Sequence, residues 1–149
     1  MGSSLHESYY LLKERPCLTT GKSITASNER LRPGMAKLVN NGRVSLWEHW
    51  SDQTNGKNWI QVDLGKSESI ERFEVHCFWD NYRYYQYTID VSENGAQWKQ
   101  VVDFSTNTSK ASINGYVHPV ERCHARYLRF NVMHNSANPG LHINEFCAF

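Results

Sequence analysis

No apolar run in this chain approaches the ~20 residues that a bilayer-crossing helix requires, which argues against a helical membrane protein. There is little net charge: 16 Lys and Arg stand against 15 Asp and Glu, giving +1. With no basic run and no acidic tail, electrostatic capture of nucleic acid or of an anionic membrane is not expected. The cysteines Cys17, Cys77, Cys123 and Cys147 form no CxxC pair, so a zinc site is not expected. No GxSxG, HExxH, P-loop or dinucleotide fingerprint occurs. Long amphipathic helices, internal repeats and low-complexity segments are also missing. The opening MGSSLHESYYLLKERP lacks the apolar centre and small-residue cleavage site of a secretory signal. MGSS reads as a cloning remnant and the rest as the end of a preceding linker or domain. The expected division is a linker over 1–16 and one domain over 17–149, a module from a longer protein whose compartment the missing signal does not decide.

What the chain has is rings. Five Trp and eight Tyr accompany a mean hydropathy of −0.63, so many rings must be half wet. Residues 76–98, HCFWDNYRYYQYTIDVSENGAQW, gather several of them around one arginine. Elsewhere the dominant period is two. Ile60, Val62 and Leu64 share a face, as do Phe73, Val75 and Cys77, then Tyr87, Ile89 and Val91, then Leu128, Phe130 and Val132. Each run reads as a short strand with one buried face. NNG at 40–42, residues 65–69, ENG at 93–95 and SANPG at 136–140 read as the turns between them. MAKLVN at 35–40 is long enough for a helical turn. Trp47 and Trp98 read as core. The pattern predicts an all-β protein, an antiparallel β-sandwich jelly roll, whose strand-end loops carry function. On spacing alone, four reduced thiols and a Cys17–Cys147 bridge both remain open.

The order of motifs, ITAS, KLVNNGRVSLW, NWIQVDLGK, YTIDVSENGAQW, ARYLRFNV and GLHINEF, resembles the discoidin domain. This is also called the coagulation factor V/VIII C-type domain, and the likeness is greatest to its family-32 carbohydrate-binding modules. The match runs from Cys17 to Phe149. It implies a galactose-binding-domain-like sandwich with neighbouring termini, which brings Cys17 near Cys147 and favours their bridge in an extracellular protein. It also implies a structural Ca²⁺ site. Asn40 takes the place of the family's Asp and Ser45 that of its Thr; Lys37 and Gly42 offer carbonyls and Glu145 a carboxylate. Ca²⁺ accepts six to eight such oxygens, but Asn for Asp removes a charge. The competing reading is a plain turn whose N–H groups Glu145 accepts.

The resemblance places a ligand face on the loops at one end of the sandwich: 27–34, 47–53, 78–85 and 134–140. Their candidate sugar contacts are Glu29, Arg30, His49, Trp50, Trp79, Arg83, Asn135 and Asn138. Rings pack on the C–H face of a pyranose, while arginine, amide and carboxylate groups read hydroxyls in fixed geometry. Four have a structural alternative: Trp79 as the end of the core, Arg83 as the ion-pair partner of Asp80, and Asn135 and Asn138 as residues that only shape a turn. The implied function is a non-catalytic, lectin-like module without enzymatic activity. It would be a monomer tethered in one chain to a glycoside hydrolase or similar enzyme, outside the cell, binding terminal galactose or N-acetylhexosamine. A protein-interaction domain, inside or outside cells, is the alternative. The loop tips NERLRPG, EHWSDQ and NSANPG are too polar for membrane insertion.

Overall fold

The computed structural model describes residues 11–45, 48–53 and 57–149. Trp47 lies outside them. The strands are β1 (Leu11–Glu14), β2 (Ser23–Ala26), β3 (Arg43–Ser45), β4 (Trp50–Gln53), β5 (Trp59–Cys77), β6 (Tyr85–Ser92), β7 (Lys99–Asp103), β8 (Tyr116–Asn135) and β9 (Gly140–Ala148). A 3₁₀ turn at Met35–Val39 fills the stretch expected to hold a helical turn. All pairings are antiparallel. β1 pairs with β3, so part of the segment expected to be linker is built into the fold.

The alternating runs bury the predicted faces, from Ile60 through Val132. One turn expectation fails. Residues 65–69 do not separate two strands; they lie inside β5, which continues through Gly65 at φ 85°. The β5–β8 register slips between Asp63 and Glu68, and the ladder bends instead of ending. The first half of β5 joins β2 and the second half of β8, which carries β6 and then β7. The second half of β5 joins β9, which carries β4. The two halves form the layers of a β-sandwich. Phe130 of one layer meets Phe146 of the other with ring centroids 5.7 Å apart, and Tyr87 lies 4.5 Å from Phe130. These rings are fully buried and are among the largest side chains of the core, with Trp50, Tyr85 and Phe73.

Trp98 departs from its core assignment. It is half-buried, and the Arg129 guanidinium lies 4.3 Å from its ring centroid.

The chain ends are joined on one edge. A disulfide links Cys17 to Cys147 with Cα atoms 5.8 Å apart. Thr19 Oγ1 donates to Phe146 O at 2.7 Å, and Leu18 N to Ala148 O at 3.0 Å. Arg15 and Arg72 lie 4.5 and 4.2 Å from the centroid of the Phe149 ring, and both pair with Glu74. Burial raises the Glu74 carboxyl, but Arg15 and Arg72 outweigh it and hold the group below the ordinary carboxylate range. A disulfide closing so long a loop constrains the unfolded chain strongly. Cys17→Ser is therefore expected to lower unfolding free energy by about 2–5 kcal/mol, measured by denaturant titration. An unchanged midpoint would show that the noncovalent contacts alone hold the ends.

Candidate functional site

Three of the expected loops meet at the end of the sandwich where β6 begins. Their convergence rests on buried polar ties. Asn28, on the loop after β2, is buried; its Oδ1 accepts the Trp50 indole N–H at 2.9 Å and its Nδ2 donates to Ser51 O at 3.1 Å. Its own carbonyl accepts Leu31 N and Arg32 N, both at 2.9 Å, which turns the chain and lifts Leu31 to 84% exposure. Glu29 Oε1 accepts Gly34 N at 2.7 Å and closes the same loop. On the second loop Asp80 Oδ1 accepts the N–H groups of Tyr82 and Arg83, each at 3.0 Å. On the third, Asn135 Nδ2 donates to Gly140 O at 2.6 Å, its Oδ1 accepts Ala137 N, and Asn138 Oδ1 accepts Gly140 N at 2.8 Å. Tyr84 N donates to Ser136 Oγ at 2.8 Å and Ser136 N to Tyr84 O at 3.0 Å, clasping the second loop to the third.

Between the first loop and the β4–β9 pair lies an open cleft of about 350 Å³. Asn28, Leu31, Arg32, Ser51, Asp52, Gly140 and His142 line it. Ser51 and His142 are cross-strand partners, which sets a hydroxyl beside an imidazole. Behind His142 stands His49, ring centroids 5.0 Å apart in an edge-on contact. Burial pushes both imidazoles below their ordinary pKa; for His142, the nearby His49, Arg83 and Arg32 add to it. Burial thus favours the neutral form of both rings, in which one nitrogen donates and the other accepts.

None of the eight expected contacts is among those lining residues. Trp50 is wholly buried, a correction: its ring lies in the core and presents no face to a sugar. Asn135 is 2% exposed and, with Asn138, holds the third loop's shape. Arg83 Nε is 3.0 Å from Asp80 Oδ2 and its guanidinium lies over Phe78, 5.0 Å from the centroid. Trp79 is partly buried against the core. Glu29 closes its own loop, Arg30 is exposed beside the cleft, and His49 sits behind it. The ring the second loop does expose is Tyr82, 78% accessible, with Lys110 Nζ 5.8 Å from its centroid. Several lining residues are instead sequence neighbours of the expected contacts: Asn28 beside Glu29, Leu31 beside Arg30 and Ser51 beside Trp50. One signal was available for Ser51: β4 alternates, so the residues beside a core tryptophan face outward.

Of the residues of the expected cation site, Gly42 touches the carboxylate of Glu145. Glu145 is fully buried; its Oε2 accepts Gly42 N at 2.9 Å, and its Oε1 has no hydrogen-bond partner. Burial drives its pKa up to about 9, against the opposing pull of the Gly42 and Asn41 N–H groups. An orphaned buried carboxylate oxygen fits a cation. Asn40, however, ties the turn: its Nδ2 donates to Thr19 O and Lys22 O, both at 2.9 Å. Ser45 O accepts Asn144 Nδ2 at 2.7 Å, and Lys37 lies exposed on the 3₁₀ turn.

Comparison with solved structures returns the same architecture. A chitosan-binding module from a chitosanase/glucanase of Paenibacillus sp. IK-5 superposes with a TM-score of 0.70 at 24% identity, covering 89% of this chain and 98% of that one. A pectin-binding carbohydrate-binding module gives 0.70 at 23%, covering 85% and 88%. A family 89 glycoside hydrolase from Clostridium perfringens, solved with GlcNAc-α-1,4-galactose, gives 0.75 at 27%, covering 90% of this chain and 14% of the enzyme. No curated protein matches. A profile of the F5/8 type C domain matches residues 23–146, and the chain belongs to that family.

Proposed function

We propose that this domain is a non-catalytic carbohydrate-binding module that holds a terminal sugar of a glycan in the loop-end cleft. The observation that carries the reading is the lining itself. Arg32, Ser51, Asp52 and His142 bring guanidinium, hydroxyl, carboxylate and imidazole groups to one concave surface about one sugar across, and Leu31 adds an apolar rim. Hydroxyls are read by such a mixture of fixed donors and acceptors. Galactose or N-acetylhexosamine termini are the proposed ligands. An open cleft buries little surface, so affinity per site is weak, with Kd on the order of 0.1–1 mM. Tethering to a glycan-active enzyme in the same chain then acts by raising local concentration. The Cys17–Cys147 bridge favours an extracellular setting. Among the described residues no helix is long and apolar enough to cross a membrane.

A glycan-array screen of the labelled domain tests the reading. Binding to a defined set of terminal sugars supports it; silence from a folded sample turns the choice to the protein-interaction alternative. With a bound sugar identified, Arg32→Ala and Asp52→Asn should each weaken it roughly 10- to 100-fold, the loss expected for hydrogen bonds to charged groups. Glu29→Gln should change affinity little, because that carboxylate closes its loop. Isothermal titration calorimetry measures both.

We also propose that Ca²⁺ occupies the Glu145 site, with Asn40, Ser45 and the carbonyls of Lys37 and Gly42 as further ligands. A bound cation would supply the positive charge that the buried carboxylate lacks. Without it, Glu145 ionises at a cost. A folded pKa of about 9, above the ordinary 4.5, means the native state holds the proton more tightly. Stability in a chelator should therefore fall as pH rises from about 4.5 toward 9. Added Ca²⁺ should remove that decline, and Glu145→Gln should abolish both the decline and the Ca²⁺ response. Thermal unfolding across pH measures all three; a chelator-insensitive Tm at pH 8 would overturn the cation.

A further inference from the structure

The β6–β7 connection builds a second cleft at the other end of β6. Seven steps of about 3.3 Å along Tyr85–Ser92 set it roughly 23 Å from the loop-end cleft. Its turn is tightly held. Ser92 Oγ accepts Gly95 N at 2.8 Å, and Asn94 Oδ1 accepts Ala96 N and Gln97 N, both at 2.9 Å. Gly95 lies at φ 77° against the Tyr127 ring, where an added Cβ would come within 3.5 Å.

Trp98 leaves this turn with one indole face already fixed. Arg129 sits between two indoles, 4.3 Å from the Trp98 centroid and 4.9 Å from that of Trp59. The guanidinium is itself anchored, Nε and Nη2 donating to Gln61 Oε1 at 3.1 and 2.7 Å. The indole is thus pre-positioned by a cation–π stack on the outer face of the sheet, and little side-chain freedom remains to be lost on binding.

Trp98 lines a cleft of about 300 Å³, with Glu93, Gln97, Lys99 and His124 around it and Val91 and Cys123 beneath. Glu93, Gln97, Lys99 and His124 are all exposed. Glu93 Oε1 already accepts Ser67 Oγ at 3.0 Å, which holds that carboxylate at the rim. A rigid ring flanked by a carboxylate, an amide, an ammonium and an imidazole suits a ligand with an apolar C–H face and several hydroxyls. The single acid and single amine are opposite in charge, so the rim suits a neutral ligand better than an ionised one.

We infer that this cleft is a second carbohydrate subsite, taking one neutral pyranose unit against the indole of Trp98. The inference rests on reading the domain as a sugar binder, but on none of the residues of the loop-end cleft. With two sites at opposite ends of one strand, a single domain would engage two glycan segments at once, and avidity would arise within one module.

The indole N–H resonance of Trp98, assigned with a Trp98→Phe variant, reports on this cleft, and the imidazole C–H resonances of His142 report on the other. The probes are galactose, N-acetylglucosamine and galacturonate, each raised to about 50 mM, well above the weak Kd expected of a shallow site. A saturable Trp98 shift with a neutral sugar is expected. It should persist when Arg32→Ala and Asp52→Asn are combined, and weaken at least five-fold when the exposed Gln97 and Lys99 are both changed to Ala, a pair chosen because neither is in the core. A Trp98 shift that disappears in the Arg32→Ala, Asp52→Asn variant would overturn the second site and leave the first. A silent Trp98 beside a responding His142 would do the same. A responding Trp98 beside a silent His142 would leave the second site standing and remove the first. Silence of both would overturn both.

Discussion

The antiparallel pairing of β5 with β8 is the constraint on which the rest of the molecule depends. Strands of 19 and 20 residues are far longer than a flat sandwich layer requires. They serve both layers because the ladder slips between Asp63 and Glu68 and bends there. β2, β6 and β7 attach to one half, and β9 and β4 to the other. Every inward side chain is then assigned by parity, since a one-residue slip would send Val62 and Leu128 to solvent. The same parity lays Trp59, Gln61 and Arg129 side by side on the outside. The bend that makes the core thus also builds the stack that carries Trp98.

Function at the loop end is limited by the cost of burying polar groups. A loop that crosses the end of a sandwich must satisfy its backbone N–H and C=O groups without a strand partner. Here Asn28, Asp80, Asn135, Asn138 and Ser136 do that work. A side chain occupied in this way is not available to a ligand even where, as with Asn28, it borders the cleft. Glu29 and Asn138 are occupied in the same way; Arg32, three positions after Glu29, and Asp52 line the cleft.

The fold was legible in the sequence because it is written in a two-residue period, and that period is a property of the backbone. The buried faces of β5, β6 and β8 follow from it directly. Two features did not follow. Gly65 to Ser69 reads as a turn by composition, yet pairing with β8 resumes at Glu68 and Ser69, opposite Ala125 and His124, and only the partner strand carries that information. Trp98 reads as core because it is a tryptophan next to a strand, yet Arg129, its stacking partner, is 31 positions away in sequence. The site was legible at the level of loops only. Whether Asn28 or Glu29 faces the cleft depends on a local turn held by hydrogen bonds, which no alternation encodes. Arg83 shows the reverse case: its structural alternative, an ion pair with Asp80, was visible in the sequence at a spacing of three.

β9 links the separate features of the molecule. Gly140 and His142, at its start, line the cleft. Asn144 donates to Ser45 O at 2.7 Å and Glu48 O at 3.4 Å, and so holds the segment that leads into His49. Glu145 accepts Gly42 N and fixes the turn that carries the proposed cation ligands. Cys147 closes the bridge to Cys17. In β9, Leu141, Ile143, Phe146 and Ala148 are core, while the polar residues among them each reach a different loop. A displacement of β9 would therefore move the cleft, the cation turn and the tethered terminus together. The proposed cation would thereby gain a direct mechanical route to the cleft. Charge neutralisation at Glu145 would fix the backbone of β9 three residues beyond His142, within about 10 Å along the strand. A site this shallow has few contacts with which to offset disorder in its walls, so rigidity delivered along β9 counts for more here than it would in a deep pocket.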